Sequence, residues 1–324
     1  MAGTGFEIPI LFALAAYIAW GIGANDETMM IAACGTRISI NRLALIGAIA
    51  TCVGAIAYGS IVEETIGKRL LTIPASTQTG LTIVAATATW LTIVSYSGWP
   101  VSTSHSTVGA VIGYGIISGT LNWPKLNTIF LSWLLSPIIG LVASYLIMKP
   151  LSRFSKNHVE ASESRKALFI LIVCALAQEF WQGANNVGNA TSFLSATFEN
   201  PFFSRAFGGV FLMIGLLTLG RRVLVTAGLR IARLSIASAI GTQVIIVVLN
   251  IVGTLYGLPL AGTHISIACL IGAGLATKTE VDYKVCRNIL LYWLITLPGA
   301  ASFSIFFAYL PSGIIFLGKL VGYS

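Results

Sequence analysis

Two pairs of polar motifs recur inside apolar stretches of the 324-residue chain. An Ala-Asn-Asp triplet at 24–26 returns as Ala-Asn-Asn at 184–186, 160 positions later. A Pro-Val-Ser-Thr-Ser-His segment at 100–105 returns as Pro-Leu-Ala-Gly-Thr-His at 259–264, 159 positions later. Matched motifs in one order indicate an internal duplication. Polar groups that are duplicated inside membrane-length segments are typical of a transport site between two repeats.

The first triplet predicts a cation site. Gly21, Gly23, Asn25 and Asp26 interrupt an apolar run, which favours an unwound backbone or a helix end at membrane depth. Freed carbonyl oxygens at such a break can coordinate a small cation when they line a cavity. A buried carboxylate there needs a counter-charge, so Asp26 is predicted to bind the ion. The alternative is a helix cap at the bilayer edge.

In the second triplet the aspartate is replaced by the amide of Asn186. Glu179, Gln182 and Asn186 are spaced i, i+3 and i+7, so they share one face if the helix persists through the break. We expect this face to point into the protein. Glu179 is either a carrier of a proton or sodium ion, or a protonated acid with a structural role.

The second pair of motifs predicts an anion site. Each motif precedes an apolar helix, so Ser102 or Thr103, and Gly262 or Thr263, are expected at a helix N-terminus. Exposed N–H groups and the positive end of the helix dipole favour anions there, and two facing ends could hold a tetrahedral oxyanion. The alternative is simple capping by the hydroxyl groups.

Two of the chain's three histidines, His105 and His264, end the paired motifs. The sequence around them contains no cysteine or carboxylate at metal-ligand spacing, so a metal site of the zinc type is not expected. We expect these histidines to hydrogen-bond the opposing hairpin or to titrate as part of a gate.

The composition excludes a soluble protein. Hydrophobic residues make up 56% of the chain and charged residues 9%, and the mean hydropathy is +0.87. A soluble domain has about a quarter charged residues. We therefore expect an all-α polytopic membrane protein with about 10 to 12 membrane segments, some of them broken or re-entrant. The first segment lacks the features of a cleavable signal and is expected to remain as a helix.

The charges suggest the layout. A basic stretch at 149–166 separates a first repeat at 1–148 from a second at 167–324, and the positive-inside rule places this linker in the cytoplasm. An odd number of segments in the first repeat would invert the second repeat relative to the first. The net charge of +8 then reflects topology and lipid headgroups, and nucleic-acid binding is not expected.

The motifs described above resemble those of a known family. The paired Gly-Ala-Asn motifs, each followed by a Pro-to-His segment, are similar to those of the inorganic phosphate transporter (PiT) family, including its sulfate-permease branch. Glu64-Thr65-Ile66 matches a further family element. The resemblance covers essentially the whole chain. It implies a symporter in the plasma membrane that imports inorganic phosphate by alternating access, with two inverted repeats and a site between them.

The resemblance assigns roles to particular residues, and the motifs described above add Gly262 and Glu179. It implies sodium or a proton as the coupling ion and no cofactor, and the oligomeric state stays open between monomer and homodimer. Substrate contacts are predicted at Asn25, Ser102, Thr103, Ser104, Asn185, Gly262 and Thr263. Coupling or cation contacts are predicted at Asn25, Asp26, Glu64, Glu179 and Asn186, with sodium between Asp26 and Asn186.

This sequence also departs from the family pattern. Asn186 replaces a second aspartate, and Ala261-Gly262 replaces Ser-Thr. The Gly-Arg-Arg-Val-Leu segment at 220–224 resembles that of sulfate permeases, so sulfate is the alternative substrate. The loss of one carboxylate predicts fewer coupled cations or coupling to protons.

Two other classes of membrane protein fit the sequence less well. An enzyme acting on lipid phosphate would need a nucleophile or a metal cluster, which the scattered acids and three histidines do not suggest. A channel would show a repeated ring of pore-lining carbonyls or charges. The half-helix motifs fit a carrier, and no enzymatic activity is expected.

Overall fold

A computed structural model gives the arrangement of the chain and describes residues 6–25, 39–97, 102–155, 165–198, 200–220, 236–278 and 283–320. These ranges are almost entirely helical. We number the α-helices in chain order: α1 (Glu7–Ala24), α2 (Ile40–Tyr58), α3 (Ser60–Glu64), α4 (Thr77–Tyr96), α5 (Thr103–Ser118), α6 (Trp123–Ser155), α7 (Arg165–Phe198), α8 (Pro201–Gly215), α9 (Ile236–Leu255), α10 (Gly262–Thr277) and α11 (Tyr283–Leu320). Helix α3 continues as a π turn at Thr65–Arg69, and α8 as a π turn at Leu216–Gly220.

Seven of these helices are long and apolar enough to cross a membrane: α1, α2, α4, α6, α7, α8 and α9. Helices α10 and α11 contain shorter apolar stretches, at Gly262–Thr277 and Leu294–Leu310. The expectation of an all-α membrane protein with several short segments is confirmed.

The helix boundaries repeat together with the motifs. Helices α4 and α9 each have 20 residues, and α5 and α10 each have 16. In both pairs the second helix begins 159 positions after the first, the same displacement as the paired histidine motifs. The duplicated sequence therefore forms a duplicated series of helices.

Helix packing runs crosswise between the two halves. Helix α2 packs on α7 and α1 on α8, while α6 packs on α10 and α5 on α11. The repeat makes α1 the counterpart of α7, α2 of α8, α5 of α10 and α6 of α11. Exchanging every helix for its counterpart converts each of these contacts into another observed contact. A pseudo-two-fold axis would produce this exchange. The inverted orientation of the halves across the membrane stays a prediction.

Glycines allow the crosswise pairs to approach closely. A methyl group at Gly23 of α1 would overlap the carbonyl of Leu212 in α8, and one at Gly183 of α7 would overlap the carbonyl of Thr51 in α2. Small residues let helix backbones come together in this way in membrane proteins. Because Gly23 and Gly183 are 160 positions apart, they are counterparts in the repeat.

The structure corrects one expectation about the broken helices. Helix α1 ends at Ala24, as the first triplet predicts, but α7 runs through the second triplet without interruption from Arg165 to Phe198. Asn185 and Asn186 lie inside regular helix, so their backbone carbonyls stay in helical hydrogen bonds. The side chains of α7 must therefore provide its polar contacts.

The basic stretch at 149–166 is partly helical. Helix α6 extends to Ser155 and α7 begins at Arg165. The division into repeats and the cytoplasmic side of this stretch stay predictions.

Candidate functional site

The N-termini of α5 and α10 form the centre of the site. The Ser102 side chain caps α5 by accepting a hydrogen bond from the N–H of His105 at 3.3 Å. Helix α10 begins at Gly262 and has no side-chain cap at Ala261. Both motifs therefore begin helices, as the sequence predicts. Their free N–H groups and positive dipole ends favour a negative charge nearby.

The hairpin that leads into α10, residues 257–261, is bonded to the first half. Ser104 Oγ donates to the carbonyl oxygen of Leu260 at 2.8 Å, and Trp133 Nε1 donates to that of Pro259 at 2.7 Å. The rings of His105 and His264 meet edge to face, with their centroids 4.7 Å apart. The ends of α5 and α10 are thus held against each other.

Asn185 of α7 holds the same hairpin. Its Nδ2 donates to Thr254 Oγ1 at 3.0 Å and to the Leu258 carbonyl at 2.9 Å, and its Oδ1 accepts from the Leu260 N–H at 2.8 Å. Both amide hydrogens are therefore engaged within the protein. Asn185 is placed to position the hairpin, whereas the sequence suggested direct contact with substrate.

Asn189 joins the site, although the sequence analysis did not select it. Its Nδ2 donates to Ser104 Oγ at 3.0 Å, and its backbone carbonyl accepts from Thr107 Oγ1 at 3.2 Å. Asn189 lies one helical turn beyond Asn185, so its spacing on a continuous α7 was the available signal. Ser104, which accepts from Asn189 and donates to Leu260, is likewise occupied in support of the hairpin.

Thr103 and Thr263 differ from their neighbours in exposure. Within the first turns of α5 and α10, Ser102, Ser104, Gly262 and the histidines are buried, whereas these two threonines are only half-buried. These two residues therefore have more accessible surface than their neighbours in the first turns of the two helices. Their contact with a bound anion stays a prediction.

Steric crowding explains why position 262 is a glycine. A methyl group there would overlap the amide of Gln182, whose Oε1 accepts from Asn250 Nδ2 at 3.3 Å. The Gln182 side chain occupies the space that a side chain at 262 would need. The departure from Ser-Thr at 261–262 is thus matched by a polar group from α7.

The polar face of α7 points inward, as predicted. Glu179, Gln182 and Asn186 are 1%, 6% and 7% exposed. Glu179 Oε2 accepts from Thr51 Oγ1 at 2.8 Å, so this acid joins α7 to α2.

The two acids of α3 have different surroundings. Glu64, the residue carried over by resemblance, is 49% exposed and pairs with Arg69 at 2.9 Å. Its neighbour Glu63 is 4% exposed and pairs with Arg205 at 3.1 Å. The structure therefore does not bring Glu64 into the buried site, and it buries an acid that the sequence analysis passed over.

The predicted cation site can be placed only in part. Asp26 lies outside the described residues, and Asn25, at the end of α1, donates from Nδ2 to the Gly21 carbonyl at 2.8 Å. Asn186 is buried in α7. Within the described ranges the structure contains no group of three His, Cys, Asp or Glu side chains that could hold a metal ion.

Comparison with known proteins identifies the family. Residues 22–304 match the model of the phosphate transporter family. The chain belongs to the phosphate transporter family. The sulfate permease CysP of Bacillus subtilis is 33% identical over 89% of this chain and 82% of its own length. The inorganic phosphate transporter 2-1 of Arabidopsis thaliana is 24% identical over 92% of this chain and 71% of its own length.

A solved structure supports the fold of this family member. The sodium-dependent phosphate transporter has a TM-score of 0.84 and 23% identity, with 95% of this chain and 99% of the other covered. Membership of the phosphate transporter family and the seven long apolar helices make this a multi-pass membrane protein of a transporter family, not of an enzyme family.

Proposed function

We propose that the protein imports inorganic phosphate together with a cation, by alternating access. The observation that carries the proposal is the meeting of two helix N-termini in a buried, neutral polar layer. Ser104 and Asn185 both hydrogen-bond the backbone of Leu260 in the α10 hairpin, and the half-buried residues Thr103 and Thr263 lie in the first turns of the two helices. Donors arranged around a positive dipole suit a tetrahedral oxyanion.

The coupling ion is sodium or a proton. Asp26 and Asn186 are the proposed sodium ligands, and Glu179 is a second candidate because it is a buried acid within the membrane. A sodium-dependent transporter has the same fold. Glu64 is a weaker candidate because it is half exposed and already paired with Arg69.

Crosswise packing supports alternating access. The contacts of the structure map onto one another when the two halves are exchanged, and a protein with this property can adopt a second arrangement in which the halves swap conformations. Secondary transporters built from repeats use such pairs of arrangements to open first on one side of the membrane and then on the other.

Sulfate is the second candidate substrate, and Asn186 favours it. Phosphate near neutral pH carries a proton that needs an acceptor, and a carboxylate accepts hydrogen bonds without donating any. The amide oxygen of Asn186 also accepts hydrogen bonds, but more weakly than a carboxylate because it carries no charge. Sulfate, which carries no proton, can be bound by donors alone. CysP, at 33% identity, is named a sulfate permease.

Counterflow in proteoliposomes tests the substrate. Vesicles preloaded with unlabelled phosphate or sulfate are given labelled phosphate or labelled sulfate outside, with sodium or potassium on both sides. We expect labelled phosphate to accumulate transiently. If labelled sulfate alone accumulates, sulfate is the substrate and not phosphate. If neither anion exchanges, the proposal is refuted.

Imposed gradients test the coupling. A sodium gradient and a proton gradient are applied separately to vesicles that contain no anion, and net uptake is measured. Uptake against the anion gradient identifies the coupling ion. If uptake only equilibrates the anion under both gradients, the protein is a uniporter or a channel.

A further inference from the structure

The buried acid Glu63 is the centre of a cluster that joins α3 to α7 and α8. Its Oε1 accepts from Thr191 Oγ1 at 2.7 Å and from Ser195 Oγ, and its Oε2 accepts from Arg205 Nη1 at 3.1 Å. We call these four residues the Glu63 clamp. Three donors satisfy the carboxylate, and Arg205 balances its charge, so burial of the ion pair is tolerated.

The clamp holds a segment that contacts both α7 and the α10 hairpin. In the π turn that follows α3, Gly67 packs on Ser192 of α7, close enough that a methyl group at Gly67 would lie 2.6 Å from the Ser192 carbonyl oxygen. Thr65 in the same turn packs on Gly257, at the start of the α10 hairpin. The segment 60–69 therefore touches both α7 and the hairpin that Asn185 positions.

The clamp has no counterpart in the other half of the sequence. With the repeat displacement of about 160 positions, the sequence counterpart of Arg205 is Leu45, that of Thr191 is Ile31 and that of Ser195 is Gly35. Glu63 corresponds to Val223 or Leu224. The sequence therefore lacks the residues for a matching ion pair at the equivalent positions of the other half, so the pair can distinguish two arrangements related by exchange of the halves.

We propose that Glu63 and Arg205 are positioning residues for transport, whose ion pair holds the segment 60–69 closed over one end of the site and must break in every cycle. This inference rests on the proposed alternating access. Loss of the ion pair shifts the equilibrium toward the arrangement in which this end is open.

Ser192 offers a reporter of opening, because it is 2% exposed and lies beneath Gly67. The full-length chain is prepared with its five cysteines replaced and with Ser192→Cys. Reaction with a membrane-impermeant maleimide is then timed in proteoliposomes. We expect Arg205→Gln to speed labelling by about tenfold or more, because a charge-assisted hydrogen bond is lost.

The matched control is Arg69→Gln. It removes the exposed partner of Glu64, the residue next to Glu63 in the chain. Exposed pairs contribute little, so labelling should stay within about twofold of the parent. Arg205→Lys keeps the charge and should restore slow labelling. Equal labelling rates in the Arg205→Gln and Arg69→Gln proteins would overturn the proposal.

A milder variant covers the case in which Arg205→Gln does not insert into the membrane. Ser195→Ala removes one donor and keeps both charges, and we expect labelling about threefold faster. An unchanged rate in this variant also contradicts the proposal. Labelling does not require transport: a parent protein that exchanges no anion refutes the proposed function, whereas normal exchange with insensitive labelling refutes only the clamp.

Discussion

Replacement of Asn185 by alanine should uncouple the α10 hairpin from α7. The change removes three hydrogen bonds and leaves two backbone groups of the hairpin without partners, the Leu258 carbonyl and the Leu260 N–H. Each buried group that loses its partner costs about 1 to 3 kcal/mol. The hairpin should therefore lose about 2 to 6 kcal/mol of the free energy that holds it in place.

Anion affinity measures this loss, because the hairpin carries the N-terminus of α10. We expect the half-saturation concentration of phosphate in counterflow to rise about thirtyfold or more for Asn185→Ala, which corresponds to the lower bound of 2 kcal/mol. Thr254→Val removes only one acceptor of the Asn185 amide and should cost about 1 kcal/mol.

The control is Asn200→Ala, which deletes the N-cap of α8, an acceptor for the Phe203 N–H at 3.1 Å. It should lower the thermal stability by about 1 kcal/mol and leave anion affinity unchanged. If Asn185→Ala and Asn200→Ala both reduce stability but neither changes the half-saturation concentration, Asn185 has no part in placing the site.

Three other predictions follow from the same layer. Thr103→Ala and Thr263→Ala should each weaken anion affinity by about 1 to 3 kcal/mol, and unchanged half-saturation in both would leave these hydroxyl groups as caps only. Gly262→Ala should displace the terminal amide of Gln182 from its hydrogen bond with Asn250 and reduce uptake, and adding Gln182→Ala should restore part of it; no recovery in the double variant would show that another clash is responsible. Asn186→Asp should strengthen sodium dependence or raise the charge moved per anion, measured as current and flux together, and unaltered charge at full activity would remove this position from the cation site.

The helix ends around the anion site could be predicted from the sequence. Ser102 and Gly262 stand before long apolar runs, and capping is a local property of the chain, so α5 and α10 begin where expected. The duplication was also readable, because matching motifs imply matching helices.

Contacts between distant helices could not be predicted in the same way. The glycine and amides of the second triplet suggested a break, but helix propensity is weak compared with packing, and α7 remains continuous against α2 and α9. Spacing within α7 did not show that the two Asn185 amide hydrogens would be engaged by Thr254 of α9 and Leu258 of the hairpin, about 70 residues away.

The two adjacent acids of α3 illustrate the same limit. Motif similarity pointed to Glu64, but neighbouring helix positions face directions about 100° apart. The positions of α7 and α8, which carry Thr191, Ser195 and Arg205, determine that Glu63 is the buried acid. A partner 142 positions away is not visible in a local pattern.

The crosswise packing has a consequence for how such a chain could arise and fold. Helix α11 packs with α4 and α5, and α6 packs with α9 and α10, so both bundles contain helices from the two halves of the sequence. A single half would leave these faces without partners, and an ancestral half-length chain could have covered them only by pairing with a second copy. A single covalent connection between two such copies would replace that association. For the same reason, fragments separated between 156 and 164 should each depend on the other to assemble.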